Sequence, residues 1–283
     1  MIQTIRKAWG IPELRKKIIF TLLILLIFRI GNAITVPYIN KDALQIQLAS
    51  MGSTYFGLLN TMSGGAFSMG KDEIASKLAA VRALNGAKEQ GQDLVTLCSA
   101  CHNVLKQAND AMAHDEEFSE HANNYMQLEK PYKGETRVIH YLELLRDVVG
   151  FDNLKKAVVK PLTGKKVAAY YGCLLLRPSK VMQMDNPENP TIIEDFLRAI
   201  GAEPVLYANR NECCGGYAVL EDRAIAQKKS TAVMHNAADM QAEMLVTACP
   251  LCQYNLTKNS AAETQLPVYY FTELLAEALG VKE

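Results

Sequence analysis

Apolar residues recur with helical and strand spacings in alternation from about residue 71 onward. Ile74, Leu78, Val81 and Leu84 share one face of a predicted helix that ends before Gly91. Alternating strands and helices are typical of a parallel α/β sheet, which we predict for this part of the chain. The predicted strands cover residues 93–97, 165–172, 203–207, 243–248 and 266–271, and further helices cover residues 136–149, 190–200 and 222–242.

The first 39 residues follow a different pattern, in which a basic cluster ending at Lys17 precedes an apolar run over residues 18–28. On an insertion scale this run contributes roughly −3 to −6 kcal/mol, against about +3 kcal/mol for Arg29. We therefore predict a transmembrane helix over about residues 18–39. A secretory signal is the alternative, because its basic start and short apolar run are similar.

The composition limits the functions that the protein could have. The chain has 283 residues, 49% of them hydrophobic, and its 30 basic and 30 acidic residues cancel, which argues against a nucleic-acid partner. Seven cysteines are an odd number, and two of their spacings are C-x-x-C. Disulfide frameworks are typical of small secreted chains, so the cysteines indicate metal or redox chemistry in a reducing compartment.

Five of the cysteines form the pattern C-x39-CC-G-x33-C-x-x-C. A tetrahedral zinc ion uses four ligands, and adjacent cysteines rarely serve one such ion, so this density of thiols favours an iron–sulfur cluster. Three of the four cysteine groups in the chain directly follow predicted strands, where open α/β sheets bind their ligands. The five residues are Cys173, Cys213, Cys214, Cys249 and Cys252.

The motifs GCLLLRPS, CCGG and CPLC resemble the cysteine-rich CCG domain in the B subunit of heterodisulfide reductase. The resemblance implies that the five cysteines hold a non-cubane [4Fe–4S] cluster and are catalytic through it, since a disulfide substrate is cleaved there. Gly215 and Gly216 allow a tight turn around the site. The implied partners are the iron–sulfur C subunit of that reductase together with its flavin-containing A subunit. Many relatives have histidines beside the first cysteine, whereas this chain has Tyr171 and Leu174.

The segments DLVTLCSACHNVLK and EMLVTACPLCQYNLTK share the motif LVT-x-C-x-x-C at an offset of 151 residues. Cys98 and Cys101 therefore correspond to the second C-x-x-C pair, and we predict them as the remainder of a second cluster-binding site. The same offset from the other three cysteines leads to Leu22, Met62 and Ser63, which cannot replace them. We predict a truncated first lobe over residues 70–160, a complete second lobe over residues 161–283, and one cluster.

Cys98, Cys101 and His102 also match C-x-x-C-H, the attachment signature of c-type haem. An exported, membrane-anchored c-type cytochrome is therefore an alternative function. Inert or zinc-binding thiols are a third interpretation of this pair. The remaining histidines lie in polar segments predicted to be helical and are expected on the solvated surface; they are His114, His121, His140 and His235.

Residues 1–67, with RKKIIFTLLILLIFRIGNAITVPYIN and FGLLNTMSGGAF, resemble the start of protein translocase SecY. The remaining helices of that channel are missing, so a non-functional SecY fragment is a further alternative for the chain. The basic cluster predicts a cytoplasmic N-terminus, and one span would place residues 40–283 in an oxidising space unsuited to a cluster. Our hypothesis is a chimeric reading frame that joins a membrane segment, residues 1–69, to a cytoplasmic CCG domain near residues 67–71.

Overall fold

The architecture comes from a computed structural model that describes residues 73–128, 130–220, 222–261, 263 and 265–281. All of these residues belong to the second of two compact units, which begins at Asp42. The predicted transmembrane helix over residues 18–39 and the SecY-like segment lie outside the described residues. Within the described ranges, no helix combines the length and the apolar character needed to span a bilayer.

Strands and helices alternate along the described chain, as predicted. The six strands described are β1 (Leu94–Thr96), β2 (Val138–His140), β3 (Lys166–Tyr170), β4 (Glu203–Val205), β5 (Met244–Thr247) and β6 (Val268–Tyr270). The α-helices are α1 (Glu73–Glu89), α2 (Ser99–His114), α3 (Glu116–Met126), α4 (Tyr141–Glu143), α5 (Phe151–Ala157), α6 (Ser179–Met182), α7 (Ile192–Ala199), α8 (Arg223–Asp239), α9 (Pro250–Asn259) and α10 (Phe271–Ala278). A π-helical stretch, Leu144–Val149, continues α4, and 3-10 turns cover Ala208–Asn211 and Gly216–Leu220.

The N-terminal lobe pairs β1 with β2 in parallel and covers them with α1, α2 and α3. The predicted apolar face of α1 is confirmed, because Val81 and Leu84 are fully buried in this lobe's core. The helix predicted over residues 136–149 is wrong at its start, where residues 138–140 form β2. The β-branched pair Val138-Ile139 is buried beside β1, and burial on a parallel sheet favours extended backbone there.

The C-terminal lobe is a four-stranded parallel sheet with the order β4-β3-β5-β6. Successive residues of β3 enter cores on opposite faces of the sheet: Ala169 packs on the side of α7 and α10, and Ala168 on the side of α8 and α9. Apolar strands with both faces covered are typical of parallel sheets. The predicted α/β class is therefore confirmed, and every carboxyl end of this sheet lies along one edge.

Candidate functional site

All five cysteines of the C-terminal lobe lie beyond the carboxyl ends of strands. Cys173 follows β3 after a short turn, and Cys213 and Cys214 lie between the two 3-10 turns that follow β4. Cys249 is the N-cap of α9, and Cys252 lies in the first turn of that helix. Because β3, β4 and β5 are parallel neighbours, the fold brings these five residues to one edge of the sheet.

The five thiols form a continuous chain of neighbours. The Sγ atoms of Cys214 and Cys252 are 3.7 Å apart. Side-chain hydrogen bonds link Cys173 to Cys213, Cys213 to Cys214, and Cys252 to Cys249. None of them forms a disulfide, Cys173 and Cys213 are partly exposed, and the other three are buried. The predicted set is therefore brought together, with one end open to solvent.

Cys213 is the thiol in this set whose ionisation the surroundings favour. Hydrogen bonds from the side chains of Cys173 and Cys214 hold the pKa of Cys213 well below its ordinary value. The backbone N–H of Gly215 also donates to its Sγ at 3.3 Å, and the positive charge of Lys229 acts in the same direction. The thiol that donates, Cys173, has a raised pKa for the same reason. Cys213 is thus the thiol of this set that its surroundings make easiest to deprotonate.

Glycines give the sulfur atoms the space they occupy. Gly172 has a φ of +64°, and a Cβ built there would lie 3.0 Å from the Sγ of Cys252. Gly215 has a φ of +81°, in the region that glycine favours, and a Cβ on Gly216 would lie 3.4 Å from the Sγ of Cys214. The predicted tight turn at Gly215 is therefore present, and Gly172 adds a contact that sequence reasoning missed.

We expect Gly172→Ala to lower the free energy of unfolding by about 2 kcal/mol and to reduce iron binding. The positive φ disfavours any residue with a Cβ, and the added methyl group would displace the Cys252 sulfur. Urea unfolding of the reduced chain and iron analysis measure the two effects. Gly86→Ala is the matched control: its Cβ meets nothing within 4 Å inside α1, so this variant gains up to about 1 kcal/mol. Equal stabilities of the two variants would contradict this account.

The chemistry of the five thiols indicates which kind of metal centre they could hold. Within the described part of the chain, no group of three or more His, Cys, Asp or Glu side chains is arranged to hold a metal ion. The five thiols instead pair with one another in sequence, which is how protonated thiols satisfy their hydrogen bonds. Five soft donors spread over three neighbouring loops fit a group with several metal atoms better than one tetrahedral ion. Metal binding would replace the thiol protons.

A buried polar network, which sequence reasoning missed, supports the loop that carries Cys213. Arg210 and Glu194 form an ion pair at 2.6 Å, and the Glu194 side chain is 1% exposed. The Tyr171 hydroxyl donates to Glu194 and accepts from the N–H of Ile193 at 2.9 Å. The Tyr171 N–H in turn donates to the carbonyl oxygen of Arg210 at 2.8 Å. The network therefore connects the end of β3 to the turn that precedes Cys213.

Two buried asparagines hold the other cysteine loops. Asn255 of α9 donates to the carbonyl oxygen of Cys214 at 2.6 Å. Asn103 of α2 donates to the carbonyl oxygens of Leu174 and Arg177, each at 2.7 Å. The N-terminal lobe therefore helps to fix the turn that carries Cys173.

The two C-x-x-C segments lie side by side. Ser99 donates to the carbonyl oxygen of Ala248 through both its N–H (2.9 Å) and its hydroxyl (2.8 Å). The Tyr270 hydroxyl lies 2.6 Å from the carbonyl oxygen of Leu97 and 2.8 Å from that of Ala248. Cys98 and Cys101, which flank Ser99, are thus beside Cys249 at the same edge. Their role as part of a second cluster-binding site stays a prediction.

The prediction that His140 lies on the surface is wrong, because the residue is fully buried. It ends β2, and its ring meets that of His102 at 5.4 Å between centroids. The predicted helix placed His140 on a polar face, whereas the strand turns it into the core. The expectation of exposure is confirmed for His114, His121 and His235.

His102 is fully buried as well, which weighs against the haem alternative. Its Nδ1 is 2.9 Å from the hydroxyl of Thr96, and its Nε2 faces the carboxylate of Glu143 at 3.7 Å. Burial lowers the pKa of His102 to about 3 and that of His140 well below its ordinary value. An axial haem ligand needs its Nε2 atom open to the iron, and the Nε2 of His102 is buried and faces Glu143.

We expect the iron-free chain to lose stability in acid through these two rings. A buried neutral histidine has a folded pKa below its unfolded value of 6.5, so its contribution is complete above that pH. The contribution falls by roughly 1.4 kcal/mol per pH unit below it. Urea unfolding at pH 7 and pH 5 measures the loss, and His140→Leu loses about 2 kcal/mol less than wild type between those values. The exposed control His235→Leu follows wild type. Identical pH dependence in wild type and His140→Leu would contradict the assignment.

Comparison with known proteins agrees with this geometry. The cysteine-rich domain family CCG matches residues 167–257, which contain all five cysteines. The chain is 32% identical over 218 residues to the membrane anchor subunit of 8-methylmenaquinol:fumarate reductase from Wolinella succinogenes, covering 74% of this chain and 75% of that protein. It is 30% identical over 216 residues to a protein from Archaeoglobus profundus that is named for its likeness to the B subunit of heterodisulfide reductase, covering 71% of each.

A second similarity concerns a shorter part of the chain. The SecY protein of the translocase from Bacillus subtilis is 53% identical over 66 residues, which cover 23% of this chain and 15% of SecY. The fold resembles that of a hypothetical protein from Helicobacter pylori with a TM-score of 0.58 and 12% identity, over 78% of this chain and 42% of that one. The chain therefore joins a SecY-like segment to a cysteine-rich part, and through that part it belongs to the family of the heterodisulfide reductase B subunit.

Proposed function

We propose that the protein is an iron–sulfur oxidoreductase subunit that reduces a disulfide at a cluster held by its C-terminal lobe. The carrying observation is the continuous chain of five thiols along one edge of the parallel sheet, with no disulfide among them. The proposed ligands of a non-cubane [4Fe–4S] cluster are Cys173, Cys213, Cys214, Cys249 and Cys252.

The exposure of the thiols supports a direction of approach for the substrate. Cys173 and Cys213 are partly exposed, whereas Cys214, Cys249 and Cys252 are buried. A disulfide therefore reaches the site from the side of the first two. When bound, the cluster supplies electrons at an iron that can take a substrate sulfur. The chain's own part is to hold five thiolates, exclude water behind them and stabilise the departing thiolate.

In this proposal Tyr217 stabilises the departing thiolate. It is 41% exposed and lies in the 3-10 turn after Cys214. Partial burial, followed by the electrostatic effect of the neighbouring Cys249 and Cys173 sulfur atoms, raises the pKa of Tyr217. The phenol therefore stays protonated and can donate a hydrogen bond to a product thiolate. In this proposal it takes the place of the flanking histidines that the chain lacks.

The assembly is also part of the proposal. The relatives are named as subunits of reductases, which supports electron delivery by partner subunits. The proposed partners are of the kind found in heterodisulfide reductase, namely its iron–sulfur C subunit and its flavin-containing A subunit.

The first lobe lacks the counterparts of three cysteines, so we expect poor turnover by the isolated chain. We also propose that the CCG part is cytoplasmic, and a membrane tether through residues 18–39 is compatible with this only if the N-terminus lies on the other side of the membrane. One DNA read across codons 55–80 decides the origin of the fusion, since a break near codon 68 would separate two proteins.

Electron paramagnetic resonance of the full chain tests the proposed chemistry. The chain is loaded anaerobically with iron and sulfide, oxidised, and titrated with a small thiol or with the alcohol of the same skeleton. A thiol ligand on the cluster changes the spectrum, and the alcohol leaves it as it was. Turnover of a disulfide with a reduced viologen dye is expected to be slow. A spectrum that does not change when the thiol is added would refute substrate binding at the cluster.

A further inference from the structure

We propose that Cys98 and Cys101 form a redox-active dithiol that exchanges with low-molecular-weight disulfides. This activity is separate from the cluster chemistry proposed above and needs no metal. It rests on the arrangement of the two sulfur atoms, on the lack of the three further cysteines that a second cluster-binding site would need, and on the partial exposure of Cys101.

The two sulfur atoms already lie within reach of each other. Cys98 is the N-cap of the 16-residue helix α2, with φ −116° and ψ 124°, and Cys101 lies in the first turn of that helix. The N–H of Cys101 donates to the Sγ of Cys98 at 3.3 Å, and the two side chains are hydrogen-bonded to each other. The side-chain contact between the two residues brings their sulfur atoms together, and a disulfide requires their Cβ atoms to approach to about 3.5–4.5 Å.

The chain lacks the further cysteines that a second cluster-binding site would need, since the corresponding positions hold Leu22, Met62 and Ser63. Five of its seven cysteines belong to the set at the C-terminal lobe, and only Cys98 and Cys101 remain. The neighbouring His102 faces Thr96 and Glu143. A pair of thiols without further ligands is suited to two-electron exchange between dithiol and disulfide.

The surroundings keep Cys98 reactive. The N–H of Cys101 stabilises a thiolate at Cys98, as helix N-termini do in C-x-x-C motifs. Cys98 is buried, at 8% exposed, and Cys101 is partly exposed, so a disulfide approaches the pair from the side of Cys101. Ser99, held on the carbonyl oxygen of Ala248, fixes the pair in position.

The exchange balances without another reactant. The Cys98 thiolate attacks one sulfur of a disulfide R–S–S–R′, which forms a Cys98–S–R bond and releases R′–S⁻. The Cys101 sulfur then attacks the Cys98 sulfur, releases R–S⁻ and closes the Cys98–Cys101 disulfide. The protein loses two electrons and the substrate gains them, and the proton of Cys101 passes to one of the two product thiolates.

Mass analysis of the full chain tests the proposal, because trypsin separates the cysteine groups. Cys98 and Cys101 fall together on peptide 89–106, and the other cysteines fall on peptides 167–180, 211–223 and 230–258. The iron-loaded chain is equilibrated anaerobically with mixtures of reduced and oxidised glutathione, quenched in acid and alkylated. Peptide 89–106 is expected to lose two hydrogens as the oxidised fraction rises.

Single variants define the roles of the two thiols. Cys101→Ser is expected to collect at least about tenfold more glutathione adduct on peptide 89–106 than Cys98→Ser does, because Cys98 attacks first. Gln92→Ala, an exposed position on the same peptide, keeps both thiols and is the matched control that still closes the disulfide. Two free thiols on wild-type peptide 89–106 at every ratio would overturn the proposal. So would a loss of bound iron in Cys98→Ser, since the pair would then be a ligand.

Discussion

Cys213→Ala is expected to reduce the iron content of the anaerobically loaded chain from about four atoms to less than one. Cys213 is the thiol whose pKa its neighbours lower most clearly, and it connects Cys173 to Cys214. Its loss removes the second of the five donors and separates Cys173 from the other three thiols. Iron and sulfide analysis of the full chain, with the absorbance of the bound cluster, measures the effect.

Cys101→Ser is the matched control for this loss. It removes a thiol of comparable burial that lies at the same edge but outside the set of five. Iron content in this variant is expected to equal that of wild type. Retention of about four irons by Cys213→Ala would refute the proposed ligand set, and so would an iron content near zero in wild type with all thiols free.

The sequence was sufficient to predict the elements that carry the cysteines. Short apolar runs that end at Cys98, Cys173 and Cys249 identify strands, because parallel strands buried on both faces need continuous apolar side chains. Parallel neighbours then bring their carboxyl ends together, so the position of the site also followed. The pattern of the five cysteines is specific enough to indicate the family without the structure.

The buried polar side chains could not be predicted from the sequence. Glu194 and Arg210 are 16 residues apart, and each is a charged residue that composition alone would place on the surface. Their pairing depends on how α7 packs against the turn after β4, which no local pattern encodes. The prediction for His140 is wrong for a related reason: the apolar spacing around it fits a helix, whereas the β-branched side chains of Val138 and Ile139 are the local signal for a strand.

The two lobes differ in how many cysteines they bring together. In the C-terminal lobe, the loops after β3, β4 and β5 all contribute thiols to one edge. In the N-terminal lobe, the described sheet pairs β1 with β2, and the end of β2 contributes His140 rather than a cysteine. The same C-x-x-C motif therefore lies in two chemical settings, and the one with partners is the stronger candidate for metal binding.

Arg210→Met is expected to lower the free energy of unfolding by about 3–5 kcal/mol. The Arg210 side chain is 10% exposed and Glu194 is 1% exposed, so the substitution leaves a buried carboxylate without its counter-charge. The Tyr171 hydroxyl alone cannot replace a charged partner, and burial already raises the pKa of Glu194. Urea unfolding of the reduced, iron-free chain at neutral pH measures the loss.

The exposed pair Arg198 and Asp195 provides the control, with side chains 54% and 44% exposed. Arg198→Met is expected to change stability by less than about 1 kcal/mol, because solvent screens that ion pair. Combining Arg210→Met with Glu194→Met is expected to recover most of the loss, since no unpaired charge remains buried. If Arg210→Met and Arg198→Met had equal effects, the network would not support the Cys213 loop as described.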